Sequence, residues 1–155
     1  MEALEAMSKE LLVVPPDLAL HRAWRIMRLH RIRHLLVARG EQLLGLLSDR
    51  EVLLHATCGP HGEVVAPADP VSTAMVVSPP TCGPDMPISH LARMMTDQKL
   101  DAIPIVSADR LVGLVTTSDL LELLTDRSTS EVIPYCFQLD YASDEDWASD
   151  GGAGS

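Results

Sequence analysis

Gly45-Leu46-Leu47-Ser48-Asp49-Arg50-Glu51 returns 68 residues later as Gly113-Leu114-Val115-Thr116-Thr117-Ser118-Asp119, and this pair decides how the chain folds. Working outward, the same offset places Leu43 on Leu111, Leu53 on Leu121, Met27 on Met95, Arg25 on Arg93, Pro16 on Pro84, Asp17 on Asp85, Ala6 on Ala74 and Met7 on Met75, without a gap. Conservative pairs fill the intervals: Leu35 with Ile103, Val37 with Ile105, Leu44 with Val112, Leu47 with Val115. Chance similarity does not hold turn residues and apolar pattern in one register. Residues 6–56 and 74–124 are two copies of one unit.

Each copy reads as strand, helix, strand, strand, helix. Leu11–Val14 is a short apolar run ended by Pro15-Pro16. Asp17 then stands at an N-cap position before Leu18, Ala23, Ile26 and Met27 at helical spacing, and the helix stops near Leu29. Arg33–Ala38 and Gln42–Leu47 flank Arg39-Gly40-Glu41, a hairpin with glycine in its turn. A second helix runs from Asp49 to Ala56. The second copy repeats the series as Val76–Cys82, Asp85–Asp97, Ala102–Val106, Leu111–Val115 and Thr117–Leu124. A unit of 51 residues buries too little surface to be comfortable alone. The two copies are therefore expected to share a core as a pseudo-two-fold pair, an α+β fold.

Three segments follow: residues 1–68 hold the first repeat with its N-terminal segment and linker, 69–127 the second repeat, and 128–155 an acidic tail. Gly59-Pro60, Gly62, Pro67 and Pro70 mark residues 57–73 as the linker. Val132, Ile133, Tyr135, Phe137 and Leu139 predict one short segment packed on the body, and the acidic, Gly-rich stretch from Asp140 to Ser155 reads as disordered. With 46% hydrophobic residues but no apolar run long enough to cross a bilayer, and with Glu2 and Glu5 where a signal peptide would be basic and then apolar, the chain reads as cytoplasmic, with no membrane partner. Three cysteines without a CxxC spacing indicate neither a disulfide framework nor a zinc site.

The chemistry concentrates at the motif that opened the comparison. Where the third strand gives way to the second helix, each copy places a hydroxyl and, three residues on, a carboxylate: Ser48 and Glu51, then Thr116 and Asp119, with Ser118 between the latter two. The free N–H groups of a helix start attract an anion such as phosphate, and a carboxylate accepts both hydroxyls of a ribose, so the set suits a nucleotide. The same spacing is also a capping box, in which the acid only reaches back to the cap N–H. The motif by itself leaves both readings open; its recurrence in two tandem βαββα copies favours the ligand.

At this point the repeat resembles the cystathionine-beta-synthase (CBS) domain, and two in tandem resemble the CBS pair, or Bateman module, over residues 6–124. The resemblance implies two clefts that in many members bind AMP, ADP, ATP, S-adenosylmethionine or NAD, and homodimers built through helices. Carried over by position, it implies that Thr116 and Asp119 are the phosphate-side hydroxyl and ribose acid of the second copy, with Ile103-Pro104 the apolar wall for adenine and Thr81 opposite. The first-copy equivalents are Ser48, Glu51, Leu35-Leu36 and Val13, with Arg50 at a position used for phosphate. Glu51 stands where Asp is usual and Leu36 where Pro is usual, so the Thr116/Asp119 cleft is favoured.

Charge separates the copies. The first carries eight basic residues against five acidic, the second three against six, and residues 125–155 one against seven, within an overall −10. Arg33 and Arg50 are the expected phosphate contacts, the remaining arginines a solvated face; the acidic remainder argues against nucleic acid. His30 with His34, and Cys58 with His61, lack a third ligand in spacing for a metal. No nucleophile with its base, and no Gly-rich phosphate loop, is present. The sequence thus predicts a non-catalytic sensor that passes ligand occupancy to a regulated partner protein; the alternative is a ligand-free dimer of the same fold that serves as an interaction module.

Overall fold

A computed structural model describes residues 1–8 and 11–125; Lys9 and the expectations for the segment from residue 126 onward lie outside the described residues. The chain runs α1 (Ala3–Ala6), β1 (Val13–Val14), α2 (Leu20–His30), β2 (His34–Arg39), β3 (Gln42–Ser48), α3 (Asp49–His55), β4 (Thr57–Cys58), β5 (Val64–Val65), a 3₁₀ turn (Val71–Thr73), β6 (Val76–Val77), α4 (Ile88–Gln98), β7 (Ala102–Ser107), β8 (Arg110–Thr116) and α5 (Thr117–Thr125).

The sheet of the first repeat has the order β1-β2-β3-β6, with β1 parallel to β2 and the other pairs antiparallel. In the second repeat β7 pairs antiparallel with β8, Cys82 bridges parallel to Ile105, and Ser8 bridges antiparallel to Leu114. Under the offset of 68, Cys82–Ile105 repeats Val14–Val37, and Ser8–Leu114 repeats Val76–Leu46. Each repeat therefore closes its sheet with the opening segment of the other: β6 lies on β3, and the chain around Ser8 lies on β8.

The core follows the same exchange, which corrects the expectation of one shared core. One cluster gathers Leu20, Ala23, Met27, Leu35, Val37, Leu47 and Val52 and is completed by Val71, Ala74 and Met75. The other gathers Cys82, Leu91, Met95, Ile103, Ile105 and Val115 and is completed by Ala3, Ala6 and Met7. Glycine in the motif is explained by this crossing. A Cβ on Gly45 would lie 2.5 Å from the Met75 sulphur and 2.9 Å from the Val76 carbonyl oxygen, and one on Gly113 would collide with the Met7 sulphur.

Several boundaries differ from the sequence reading. The helix expected after Asp17 starts at Leu20, because the Leu18 N–H donates to the Pro15 carbonyl, the Leu18 carbonyl accepts from Val71 N–H at 2.7 Å, and Ala19 bridges to Pro70. Its repeat starts at Ile88, after Pro87, which bridges to Glu2. The single strand expected over Val76–Cys82 is broken by Ser78 at φ 47° and by Pro79-Pro80, so its two ends serve different sheets. The linker is structured: β4 and β5 form a small hairpin around Gly62 at φ +79°. The Arg39-Gly40-Glu41 turn has Gly40 at φ 61°, and its counterpart uses Ala108 and Asp109, both left-handed.

Candidate functional site

Both copies of the motif form the reciprocal cap. At the β3–α3 junction Ser48 N–H donates to Glu51 Oε2 at 2.8 Å, Glu51 N–H donates to Ser48 Oγ at 3.4 Å, and the Ser48 hydroxyl also bonds the Glu51 carboxylate. At the β8–α5 junction Thr116 N–H donates to Asp119 Oδ2 at 2.6 Å, the Thr116 hydroxyl donates to the same oxygen at 2.8 Å, and Asp119 N–H donates to Thr116 Oγ1 at 3.3 Å. Asp thus closes the box as Glu does, and among the described residues only Oδ2 is engaged.

What separates the two junctions is what stands in front of them. Thr116, Thr117, Ser118 and Asp119 border a cleft of about 280 Å³ whose opposite side comes from the first repeat: Leu11 and Leu12, the run Arg31-Ile32-Arg33-His34, and Leu36. Ser8, Asp101 and Leu114 complete it. The cleft is therefore assembled between the repeats.

This arrangement reassigns the walls that the resemblance drew from within one copy. Thr81 is exposed, Ile103 is buried in the second core and Pro104 is buried on β7; none of the three lines the Asp119 cleft. Strand alternation gives the reason. Leu35 and Val37 point into the first core, so Leu36 points the other way, toward the start of α5. Val13 is exposed next to Leu12, and Leu35 does not reach the cleft. Ser48 and Glu51 lie outside it. Of the two expected phosphate contacts Arg33 lines the cleft and Arg50, exposed on α3, does not.

Arg31, His34, Thr117 and Asp101 are cleft residues that the sequence reading missed. A signal for Arg31 was present: under the offset it falls on Lys99, and both cations end their helices in the left-handed conformation, at φ 53° and 56°. Arg33 Nε lies 3.4 Å from Asp49 Oδ2. His34, half-buried at the start of β2, has its pKa lowered chiefly by burial and then by Arg33, against the opposing pull of Asp101, Asp49 and Glu51. The cleft thus sets two guanidinium groups of one repeat across from a capped carboxylate of the other, an arrangement with the hydrogen-bonding chemistry for a sugar diol at one end and an anion at the other.

His30 is exposed at the end of α2, and among the described residues no three His, Cys, Asp or Glu side chains are grouped to hold a metal ion. No helix among them is long and apolar enough to cross a membrane.

With this geometry in view, the profile of the family described as CBS domain matches residues 2–56 and 68–126. The chain belongs to the CBS domain family. It is 27% identical over 117 residues to the CBS domain-containing protein YhcV of Bacillus subtilis, a match covering 75% of this chain and 80% of that one. It is 29% identical over 113 residues to inosine-5'-monophosphate dehydrogenase of Korarchaeum cryptofilum, covering 72% of this chain but only 22% of that enzyme. Among solved structures, the CBS domain pair of protein MJ0100, crystallised with 5'-methylthioadenosine and S-adenosyl-L-methionine, superposes with a TM-score of 0.70 at 20% identity, covering 81% of this chain and 97% of that one. That likeness establishes the fold: two tandem CBS repeats packed as a pair.

Proposed function

We propose that this CBS pair is a non-catalytic regulatory module that binds an adenosine-containing ligand between its repeats and transmits occupancy to a partner protein. The observation that carries the reading is the cleft itself, in which Asp119 of one repeat faces Arg31 and Arg33 of the other. A ligand there touches both repeats at once, so its binding favours one relative placement of the two, which a partner can read. The adenosine compounds bound to MJ0100 support that ligand class; AMP, ADP, ATP, S-adenosylmethionine and NAD are the compounds to try.

Thermal unfolding of the chain in the presence of each compound tests this. A ligand at 100 times its Kd stabilises by about 2.7 kcal/mol. We expect a saturable shift with at least one adenosine compound and none with the matching uridine compound. No shift with any of them would favour the ligand-free interaction module, a reading to which the fully formed Thr116/Asp119 cap also lends support.

A further inference from the structure

A second cleft, of about 330 Å³, lies in the corner of the first repeat where the end of α2 meets the start of α3. Buried Met27 and half-buried Ile32 give it an apolar part. Three guanidinium groups stand there against one carboxylate: Arg28 lies 5.9 Å from the centroid of the half-buried Trp24 indole, Arg33 Nε lies 3.4 Å from Asp49 Oδ2, and Arg31 completes the set. Among the described residues Arg28 and Arg31 make no ion pair, so three cations less one anion leave a charge of +2. The second repeat shows how much of this the fold itself requires. Under the offset of 68, Met27 and Ile32 become Met95 and Leu100, so the apolar part is common to both corners. Arg28, Arg33 and Trp24 become Thr96, Asp101 and Ala92, and Lys99, in place of Arg31, cancels in charge against Asp101. The indole and the charge are additions to the first corner. Trp24 is also the single aromatic side chain of residues 1–125, and the other four of the chain, Tyr135, Phe137, Tyr141 and Trp147, all follow residue 125.

We propose that this corner is the docking site of the chain's own acidic segment Asp144-Glu145-Asp146-Trp147. That segment brings three carboxylates and an indole to a corner with three guanidinium groups and an indole. Guanidinium and carboxylate form charge-assisted hydrogen bonds, and a pair of aromatic rings gains beyond the area it buries. A free anion uses the arginines and leaves the indole unmatched; this segment uses both. Reach sets no obstacle. The eighteen residues 126–143 extend to about 60 Å, against about 35 Å across a compact body of 125 residues. Tethering also raises the local concentration of the segment to the order of millimolar, so contacts that are individually weak in salt suffice together. Arg31 and Arg33 border the inter-repeat cleft as well, so a docked segment competes for them with an anion held there. That consequence alone rests on the ligand reading above.

Nitroxide broadening of amide resonances tests the docking in the full-length chain. The label is placed at Ser149→Cys with Cys58→Ser and Cys136→Ser, the third cysteine, Cys82, being buried. It should broaden the amides of Trp24, Arg28 and Arg31 and leave those of Ala92, Thr96 and Lys99 sharp. The broadening should fall at least twofold at about 1 M salt, where the screening length shrinks to about 3 Å. It should be lost in the variant Asp144→Asn, Glu145→Gln, Asp146→Asn and weakened in Trp147→Ala; none of these changes touches residues 1–125. Sharp amides at Trp24 and Arg31, or equal broadening at both corners, overturns the docking, and full broadening in Trp147→Ala overturns the part given to the indole. Broadening that appears only when labelled chains are mixed with unlabelled, nitrogen-15 chains assigns the corner to the segment of a second copy and overturns docking within one chain. For the competition, ATP should bind at least about threefold tighter to the neutralised variant, and tighter to Trp147→Ala, which alters no charge. Equal ATP affinity in all three chains overturns the competition alone, because the broadening decides the docking.

Discussion

Asp119 and Glu51 make the same bonds to their helix starts, yet Asp119 borders the inter-repeat cleft and Glu51 does not. Replacing either with Ala removes a cap acid and is expected to cost on the order of 1 kcal/mol of stability. Asp119→Ala alone should also abolish most adenosine affinity; calorimetry beside urea unfolding on both variants checks this, and loss of binding in Glu51→Ala alone would reverse the assignment. Arg31 offers a clean companion test, since glycine adopts its left-handed backbone without strain. Arg31→Gly should leave stability intact and weaken ATP by about tenfold or more, as losing a charge-assisted hydrogen bond costs roughly 1.5–3 kcal/mol. Arg50→Ala, outside the inter-repeat cleft, should change ATP affinity by no more than a few tenths of a kcal/mol. His34 gives a pH signature. Its folded pKa lies below the ordinary 6.5, so the unfolded chain binds the proton more readily. Its contribution to stability is complete above 6.5 and is lost as pH falls from there through the folded value. Thermal unfolding across this window should show the decline, and His34→Gln should flatten it.

The exchange of opening segments makes a prediction about elements. Residues 1–8 lead into the first repeat but bury Ala3 in the second core, pack Met7 against it and pair Ser8 with Leu114. Deleting them should cost at least about 2 kcal/mol. It should also speed amide exchange on β8 while leaving β3 protected; the reverse pattern would contradict the exchange. Much of this architecture was legible in the sequence, because the offset pairs carried the element order, the hairpin at Gly40 and the caps at Ser48 and Thr116 in one register. The exchange was not legible. Ala6 and Met7 align with Ala74 and Met75 whichever core they enter, since a repeat fixes local pattern and says nothing about which neighbour each segment joins. For the same reason Asp119 and Arg33 were each recognisable, but their meeting in one cleft, with Arg31 and His34 beside them, was not: these cleft residues lie in the other copy. The helix starts were misplaced because Leu18 and Ala19 spend their backbone groups on the Pro70–Val71 connection, a long-range demand that no local propensity records.

At the level of the molecule, the helices leave apolar surface uncovered within the described residues. Leu54 on α3 is 76% exposed, and Leu121 and Leu124 on α5 are 61% and 66% exposed. On α2, by contrast, Leu20 is fully buried and Trp24 packs against the first core. A homodimer through α3 and α5 is the expected outcome; sedimentation should show it, and the pair Leu121→Glu and Leu124→Glu should yield a folded monomer. The central claim, one adenosine site built from both repeats, is tested most directly by titrating AMP into the chain while following backbone amides by proton–nitrogen NMR. The account predicts that Arg31 to His34 and Thr116 to Asp119 shift together on one saturation curve while Thr81 and Arg50 stay unmoved. Shifts confined to one repeat, or gathered at Thr81 and Glu51, would contradict it.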